Sequence, residues 1–149
     1  MLEYGSMDHY LVVLICSWLR TQAIFGSLDE VRKLTQHPDF LNWKNPNKVR
    51  SVIGGFVRGN VSRFYAYDGS GFDFIKDAIA LLDRSNPHVA SNVANVFSSV
   101  TQLPPKQRDL ITEKVNQLLS SHNSGEQKLT GGTYEVLSKV ASSVSSTSS

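Results

Sequence analysis

The sequence is poor in cysteine and lacks long apolar runs, and each shortage excludes a class of protein. Cys16 is the single cysteine in 149 residues, so the chain cannot form an internal disulfide, and nothing implies an oxidising compartment. The apolar run around it, LVVLICSWL, holds about nine residues, whereas a membrane-spanning helix needs about 20. Glu3 and Asp8 stand where a signal peptide carries basic residues. We therefore expect a cytoplasmic or organelle-matrix protein without a membrane span.

Residue patterns that hold metals or perform catalysis are also missing. The four histidines lie far apart, and none belongs to H-E-x-x-H or a similar ligand spacing (His9, His37, His88 and His122). No Gly-x-Ser-x-Gly elbow occurs. The carboxylate pairs Asp29-Glu30 and Asp73/Asp77 fall at expected helix starts, where they complement the helix dipole. We expect no metal site and no catalytic residue in this chain, so by itself it is not expected to be an enzyme.

Positive charge is concentrated in one stretch although the net charge is only +2. Residues 20–63 contain eight Lys or Arg and three acidic residues. Such an excess suits an anionic partner, a peptide carboxylate or nucleic acid, and it also occurs on ordinary solvated surfaces, the interpretation that we favour. No recognition helix or base-stacking motif accompanies the charge, which argues against nucleic acid.

Helical periodicity runs through almost the whole chain. Apolar residues recur at i, i+3 and i+4 in seven segments, at about 8–24, 28–36, 45–57, 70–82, 87–100, 105–119 and 130–141. In the first segment the spacing predicts a buried face formed by Leu11, Leu14, Ile15, Trp18 and Leu19. Residues 61–68, VSRFYAYD, are rich in β-branched and aromatic side chains but have no partner strand, so we expect an extended connection.

Asparagine followed by proline marks the start of two of these helices. Asn45 and Asn86 are expected to cap their helices, with Pro46 and Pro87 at the first helical position, where a missing N–H costs nothing. The Gly54-Gly55 pair weakens the end of the third helix, and it predicts close packing of another backbone there.

The tetrad Asp68-Gly69-Ser70-Gly71 raises the choice between a ligand loop and a turn. A phosphate loop needs a longer Gly-x-x-x-x-Gly-Lys pattern, and a calcium loop would need oxygen ligands where Phe72 and Phe74 stand. An amphipathic stripe follows the tetrad directly. We therefore predict a turn that caps the next helix through Ser70 or Asp68, with glycines that permit tight packing.

Seven helices joined by short loops predict an all-α fold. We expect antiparallel hairpins stacked as an α-solenoid of the ARM or HEAT type. The expected organisation is a flexible N-terminus over 1–7, a helical domain over 8–141 and a disordered Ser-rich tail over 142–149.

Three segments carry a family resemblance beyond their periodicity. NPNKVRSVIGGF (45–56), RFYAYDGSGFDFI (63–75) and LDRSNPHVAS (82–91), in this order, resemble the C-terminal helical domain of zinc aminopeptidase N of the bacterial alanyl-aminopeptidase type. SWLRTQA (17–23), LTQHPDF (34–40) and YEVLSKVA (134–141) extend the match to about residues 8–141.

The resemblance implies a non-catalytic domain. Such a domain caps the catalytic domain of an aminopeptidase, in cis or in trans, and gates and positions short peptides from which N-terminal residues are removed. It implies zinc in the full-length enzyme and no cofactor in this chain.

The resemblance also implies one substrate contact. Through the motif Asn-Pro-Asn-x-x-Arg it assigns a peptide carboxylate to Arg50, whereas a second basic position of the family is Asn92 here. The alternative is a free-standing helical-repeat interaction module without enzymatic activity.

Overall fold

The computed structural model describes residues 2–37, 40 and 42–147, and all regular structure within these ranges is helical. This confirms the all-α fold class. The chain divides into two compact units, Met1–Val61 (unit 1) and Ser62–Ser149 (unit 2). The short helix α5, Val61–Phe64, spans the division.

Unit 1 consists of two helices and a third, irregular one that packs along the first. Helix α1 spans Leu2–Phe25 and α2 spans Leu28–Leu34. After a 3-10 turn at Asn42–Lys44, helix α3 (Pro46–Val49), a π-helical turn (Arg50–Gly54) and α4 (Gly55–Gly59) follow without a break. Glycine at 55 permits close packing on α1, because a Cβ there would lie 3.1 Å from the Arg20 carbonyl oxygen.

The end of α1 is fixed by a buried amide. The Nδ2 group of Asn60 donates to the Ala23 and Gly26 carbonyl oxygens at 3.0 and 2.8 Å. These carbonyls lie at the helix end, where intrahelical partners run out, so one side chain satisfies two acceptors. Around this contact the fully buried apolar side chains of unit 1 form its core (Leu19, Ala23, Val31, Phe40, Val49, Val52 and Phe56).

Unit 2 packs its helices around aromatic side chains. Its elements are α6 (Ser70–Ser85), α7 (Pro87–Ala94), a 3-10 segment (Asn95–Gln102), α8 (Pro105–Ser124) and α9 (Gly131–Thr147). Helix α9 packs against α7, the 3-10 segment and α8, while α6 packs against α7 and α8. Phe72 lies edge-on to Phe64 and Phe97, with ring centroids 5.2 and 6.3 Å apart.

A buried carboxylate joins α6 to the start of α9. Asp83 accepts hydrogen bonds from the Thr130 N–H at 2.8 Å and from the Thr130 and Thr133 hydroxyls at 2.7 Å each. A negative charge at a helix N-terminus meets unpaired N–H groups and the positive end of the helix dipole. Asp83 thus caps a helix that lies nearly fifty residues away in the sequence.

The structure corrects two expectations about particular segments. Residues 61–68 are not extended: they form α5 and a turn closed by the Gly69 N–H bonded to the Ala66 carbonyl at 3.1 Å. The predicted buried face of α1 is wrong except at Leu19, because Leu11, Leu14 and Trp18 are exposed and Ile15 is half-buried. Helices α2–α4 pack on the opposite side of α1, where Leu19 and Ala23 are fully buried.

Helix boundaries also differ from those expected. Helix α1 begins at Leu2 and α9 continues to Thr147, so both extend beyond the expected helical range of 8–141, and the flexibility of the two ends stays a prediction. In the serine-rich segment, the hydroxyls of Ser143 and Ser145 donate to the Val140 and Ala141 carbonyls, which is compatible with helix. The sequence His37-Pro38 predicts the end of the second helix, but Pro38 lies outside the described residues, as do the last two residues of the tail.

Candidate functional site

The Asp68-Gly69-Ser70-Gly71 tetrad forms a turn at the start of α6. The Asp68 Oδ1 accepts from the Ser70 hydroxyl at 2.6 Å and from the Ser70 N–H at 2.9 Å. These two hydrogen bonds, the hydroxyl's first, lower the pKa of the exposed Asp68 carboxyl. Gly69 has a φ of 80°, the left-handed conformation that favours glycine. The Asp68 carboxylate is therefore hydrogen-bonded within the turn itself.

Gly71 provides the tight packing that the tetrad predicts. A Cβ at this position would lie 2.3 and 2.4 Å from the Arg63 and Phe64 carbonyl oxygens, so only glycine fits. Across the part of the chain that is described, no three His, Cys, Asp or Glu side chains come together as a metal site. The tetrad is thus a structural element that joins α5 to α6.

The two Asn-Pro pairs cap helices as their sequence predicts. The Asn45 Oδ1 accepts from the Asn47 and Lys48 N–H groups at 3.1 and 3.3 Å, and Pro46 begins α3. Asn86 caps α7 in the same way, by accepting from the Val89 N–H at 3.5 Å with Pro87 at the first position. The first of these caps fixes the helix that carries Arg50.

Arg50 lies at the first residue of the π-helical turn in unit 1. Its side chain is exposed, and it has no hydrogen-bond or ion-pair partner among the described residues. The neighbouring Lys48, by contrast, is buried. Arg50 is therefore a solvent-facing guanidinium, available to bind a carboxylate in bidentate geometry. Asn92, at the second basic position of the family motif, is exposed on α7 in unit 2.

The most unusual surface is the uncovered side of α1, which we call the α1 apolar face. Five large apolar side chains share about 100° of the helix circumference and remain exposed: Tyr10 69%, Leu11 53%, Leu14 62%, Trp18 42% and Phe25 76%. On the opposite side, Leu19 and Ala23 are fully buried. A helix that is apolar on both sides is normally buried on both, so this face is suited to contact with another protein surface.

The described helices include none that is both long and apolar enough to span a membrane.

Comparison with known proteins gives one matching family model and several relatives. The model, described as a domain of unknown function (DUF3458_C) with ARM repeats, matches residues 5–142. Aminopeptidase N of Escherichia coli is 32% identical over 142 residues, which is 93% of this chain and 16% of that protein. Aminopeptidase N of Caulobacter vibrioides is 30% identical over 103 residues, 69% of this chain and 12% of that protein.

A third relative has a similar extent. Aminopeptidase N of Haemophilus influenzae is 31% identical over 91 residues, or 61% of this chain and 10% of that protein. The chain thus spans about a sixth or less of the length of each of these relatives.

Proposed function

The chain belongs to the ARM-repeat family described as DUF3458_C, and we propose that it is the non-catalytic C-terminal helical domain of an aminopeptidase N-like metallopeptidase. The family membership confirms the resemblance drawn from the motifs. In this proposal the domain caps a catalytic domain, in cis or in trans, and gates and positions short peptides for removal of their N-terminal residues. We further propose that it acts in the cytoplasm or in an organelle matrix.

The α1 apolar face is the observation that carries this proposal. It leaves Tyr10, Leu14 and Phe25 each more than half exposed, although burial of a large apolar side chain is worth about 1.5–3 kcal/mol. The relatives continue well beyond the region that matches this chain, so they contain further protein against which the corresponding helix can pack. A catalytic domain is therefore the partner that we assign to this face.

Zinc and the catalytic residues belong, in this proposal, to the catalytic domain. Among the described residues here, no three His, Cys, Asp or Glu side chains come together to hold a metal ion. The contribution of this chain is positioning: a peptide held at its carboxyl end presents its amino end in a restricted orientation, which lowers the entropic cost of reaction. Arg50, exposed and unpaired among the described residues, is the side chain that we propose to hold the peptide carboxylate.

Affinity purification from cells that make this protein tests the assigned partner. We expect the wild-type segment to purify with aminopeptidase activity, either on a polypeptide several-fold larger than 16.5 kDa or bound to a separate one. The double change Leu11→Glu and Leu14→Glu places charge on the α1 apolar face at two exposed positions and should remove that activity. Leu81→Glu, at an exposed apolar position in unit 2, is the matched control and should retain it.

Absence of aminopeptidase activity from the wild-type material would contradict the proposal. A segment of 16.5 kDa that purifies with proteins lacking this activity would favour the free-standing interaction module instead.

Arg50→Ala in the same enzyme tests the substrate contact. Because the Arg50 guanidinium binds the peptide through its carboxylate, loss of this contact should raise KM for short peptides. An unchanged KM would remove Arg50 from the proposal and leave the capping role untouched.

A further inference from the structure

Two exposed arginines besides Arg50 lie on the helices of unit 1. Arg20 is on α1 and Arg58 is on α4, and neither has a hydrogen-bond or ion-pair partner among the described residues. The side chain of Arg20 lies against α4, because its Cγ is 3.2 Å from the position of a Cβ at Gly55. Arg58 is one turn further along α4. Positive charge is thus concentrated along the continuous helix that carries Arg50.

The π-helical turn brings Arg50 and Arg58 onto one side of that helix. At about 100° per residue, eight residues of regular α-helix would separate them by about 80° around the axis. The π turn over Arg50–Gly54 takes up about one residue more than an α turn, which reduces the separation to about 20°. The two arginines therefore occupy a single stripe, at positions about 11 Å apart along the axis.

Gly54 lies between the two arginines on this stripe, and it has no side chain that would block a bound ligand. A Cβ at Gly54 would have no atom within 4 Å, so free space borders the backbone there. A ligand that bridges Arg50 and Arg58 meets no intervening side chain at this position. The Arg50/Gly54/Arg58 stripe thus combines two outward guanidinium groups with an unobstructed stretch of backbone.

We propose that Arg58 is a second carboxylate-binding residue, and that the Arg50/Gly54/Arg58 stripe binds peptides carrying two carboxylates. One is the C-terminal carboxylate and the other is an acidic side chain. An extended peptide rises about 3.3–3.6 Å per residue, so about three residues span the 11 Å between the arginine positions. The expected ligand is an acidic peptide with Glu or Asp three residues before its C-terminal residue. This inference rests on the proposed function, because it extends the peptide contact assigned there to Arg50.

Calorimetric titration of the full 149-residue chain at low salt tests the pairing. The probes are Ala-Glu-Ala-Ala-Ala and its neutral counterpart Ala-Gln-Ala-Ala-Ala. We expect the Glu peptide to bind about tenfold more tightly, the amount that one charge-assisted hydrogen-bonded contact provides. Arg58→Gln should reduce the ratio to about one without weakening the Gln peptide, since Arg50 still holds the C-terminal carboxylate.

Two controls keep the test specific. Arg84→Gln removes an exposed arginine of α6 in unit 2 and should leave the tenfold ratio unchanged. Ala-Ala-Ala-Glu-Ala carries the same charge with its carboxylates adjacent, and it should lose most of the preference. Thermal unfolding of each variant verifies that the fold is kept.

Equal binding of the Glu and Gln peptides by the wild-type chain would overturn the inference, as would a ratio that survives Arg58→Gln. Binding of a short oligonucleotide that depends on Arg58, without any peptide preference, would also overturn it in favour of nucleic acid. These results leave the purification experiment unaffected, because that experiment depends on the α1 apolar face. The two proposals can therefore fail separately.

Discussion

Units 1 and 2 have similar secondary structure but differ in how their helices are tied together. In unit 2, side-chain hydrogen bonds bridge elements far apart in sequence: Asp83 to Thr130 and Thr133, Gln127 to the Ala80 carbonyl, and Lys76 to Gln117. Unit 1 has the Asn60 link to the end of α1, but it exposes the α1 apolar face. Unit 1 therefore leaves a large apolar helix face exposed, whereas in unit 2 side-chain hydrogen bonds tie distant elements together.

The largest expected effect on stability comes from replacing leucines on the two sides of α1 by alanine. This comparison tests whether one side is buried and the other exposed. Leu19→Ala removes a fully buried side chain and should lower the free energy of unfolding by about 2–5 kcal/mol. Leu14→Ala removes an exposed one and should change it by less than about 0.5 kcal/mol in the isolated chain. Urea unfolding of both variants provides the measurement. A large loss for Leu14→Ala would mean that the α1 apolar face is covered within the chain.

Removal of the Asp83 or the Asn60 hydrogen bonds should lower the free energy of unfolding by unequal amounts in the two units. Asp83→Ala leaves an N–H and two hydroxyls without their acceptor and should cost about 3 kcal/mol, since hydrogen bonds to charged groups are the stronger ones. Asn60→Ala removes two neutral hydrogen bonds and should cost about 2 kcal/mol.

Spectroscopic probes assign each loss to its unit. Both tryptophans, Trp18 and Trp43, lie in unit 1, so their fluorescence follows that unit while circular dichroism follows all helices. If Asp83→Ala shifted only the fluorescence transition, the assignment of Asp83 to the stability of unit 2 would be wrong.

The adjacent glycines Gly54 and Gly55 of unit 1 should respond to alanine substitution with stability changes of opposite sign. Gly54→Ala adds a methyl group to free space at a helical φ of −64° and should stabilise by about 0.5–1 kcal/mol, because the unfolded chain loses freedom. Gly55→Ala pushes against the Arg20 carbonyl and the Ala23 side chain and should destabilise by about 1 kcal/mol. Thermal unfolding compares them directly, and a shift of the same sign in both would contradict the packing of α4 on α1.

The smallest expected effect concerns pH dependence in unit 2. Burial raises the pKa of the Asp73 carboxyl, but the hydrogen bond and charge of Lys76 and the charge of Lys114 outweigh this and lower it overall. A lowered folded-state pKa stabilises the fold above the ordinary pKa of about 4, and this stabilisation is lost as pH falls through the folded-state value.

Lys114→Met should therefore cost a few tenths of a kcal/mol at pH 7 and nothing near pH 2, because Asp73 is partly exposed. Lys139→Met, which breaks an exposed pair with Glu135, is the control and should show a smaller pH dependence. Urea unfolding at the two pH values measures the difference, and an equal cost at both would remove Asp73 as its source.

Local rules predict much of this fold. The Asn-Pro starts at residues 45–46 and 86–87 identify helix caps because Asn and Pro act on their immediate neighbours. The close approach at Gly55 follows from the glycine pair, although Gly54 meets only free space. These features depend on a few consecutive residues, so the sequence contains the information for them.

Features that depend on distant residues were not predictable in this way. The periodicity of α1 identifies apolar positions but does not say which side α2–α4 will cover, so Leu14 was assigned to the wrong side. Asp83 has no sequence signal as a cap because its partners lie 47–50 residues away. The π turn also lacks a distinctive local pattern, and without it Arg58 would not align with Arg50. Of the candidate site, the sequence therefore provided Arg50 alone, and its role remains a prediction.

The hydrogen bonds of Asp83 also predict an order of assembly during synthesis. A ribosome completes α6 well before it reaches Thr130, so the nascent chain holds the Asp83 carboxylate before its hydrogen-bond donors, Thr130 and Thr133, have been made. Until α9 emerges, that carboxylate is better left hydrated than buried, which disfavours premature closure of unit 2. We therefore expect unit 1 to acquire its structure first, and unit 2 to close only when its last helix becomes available.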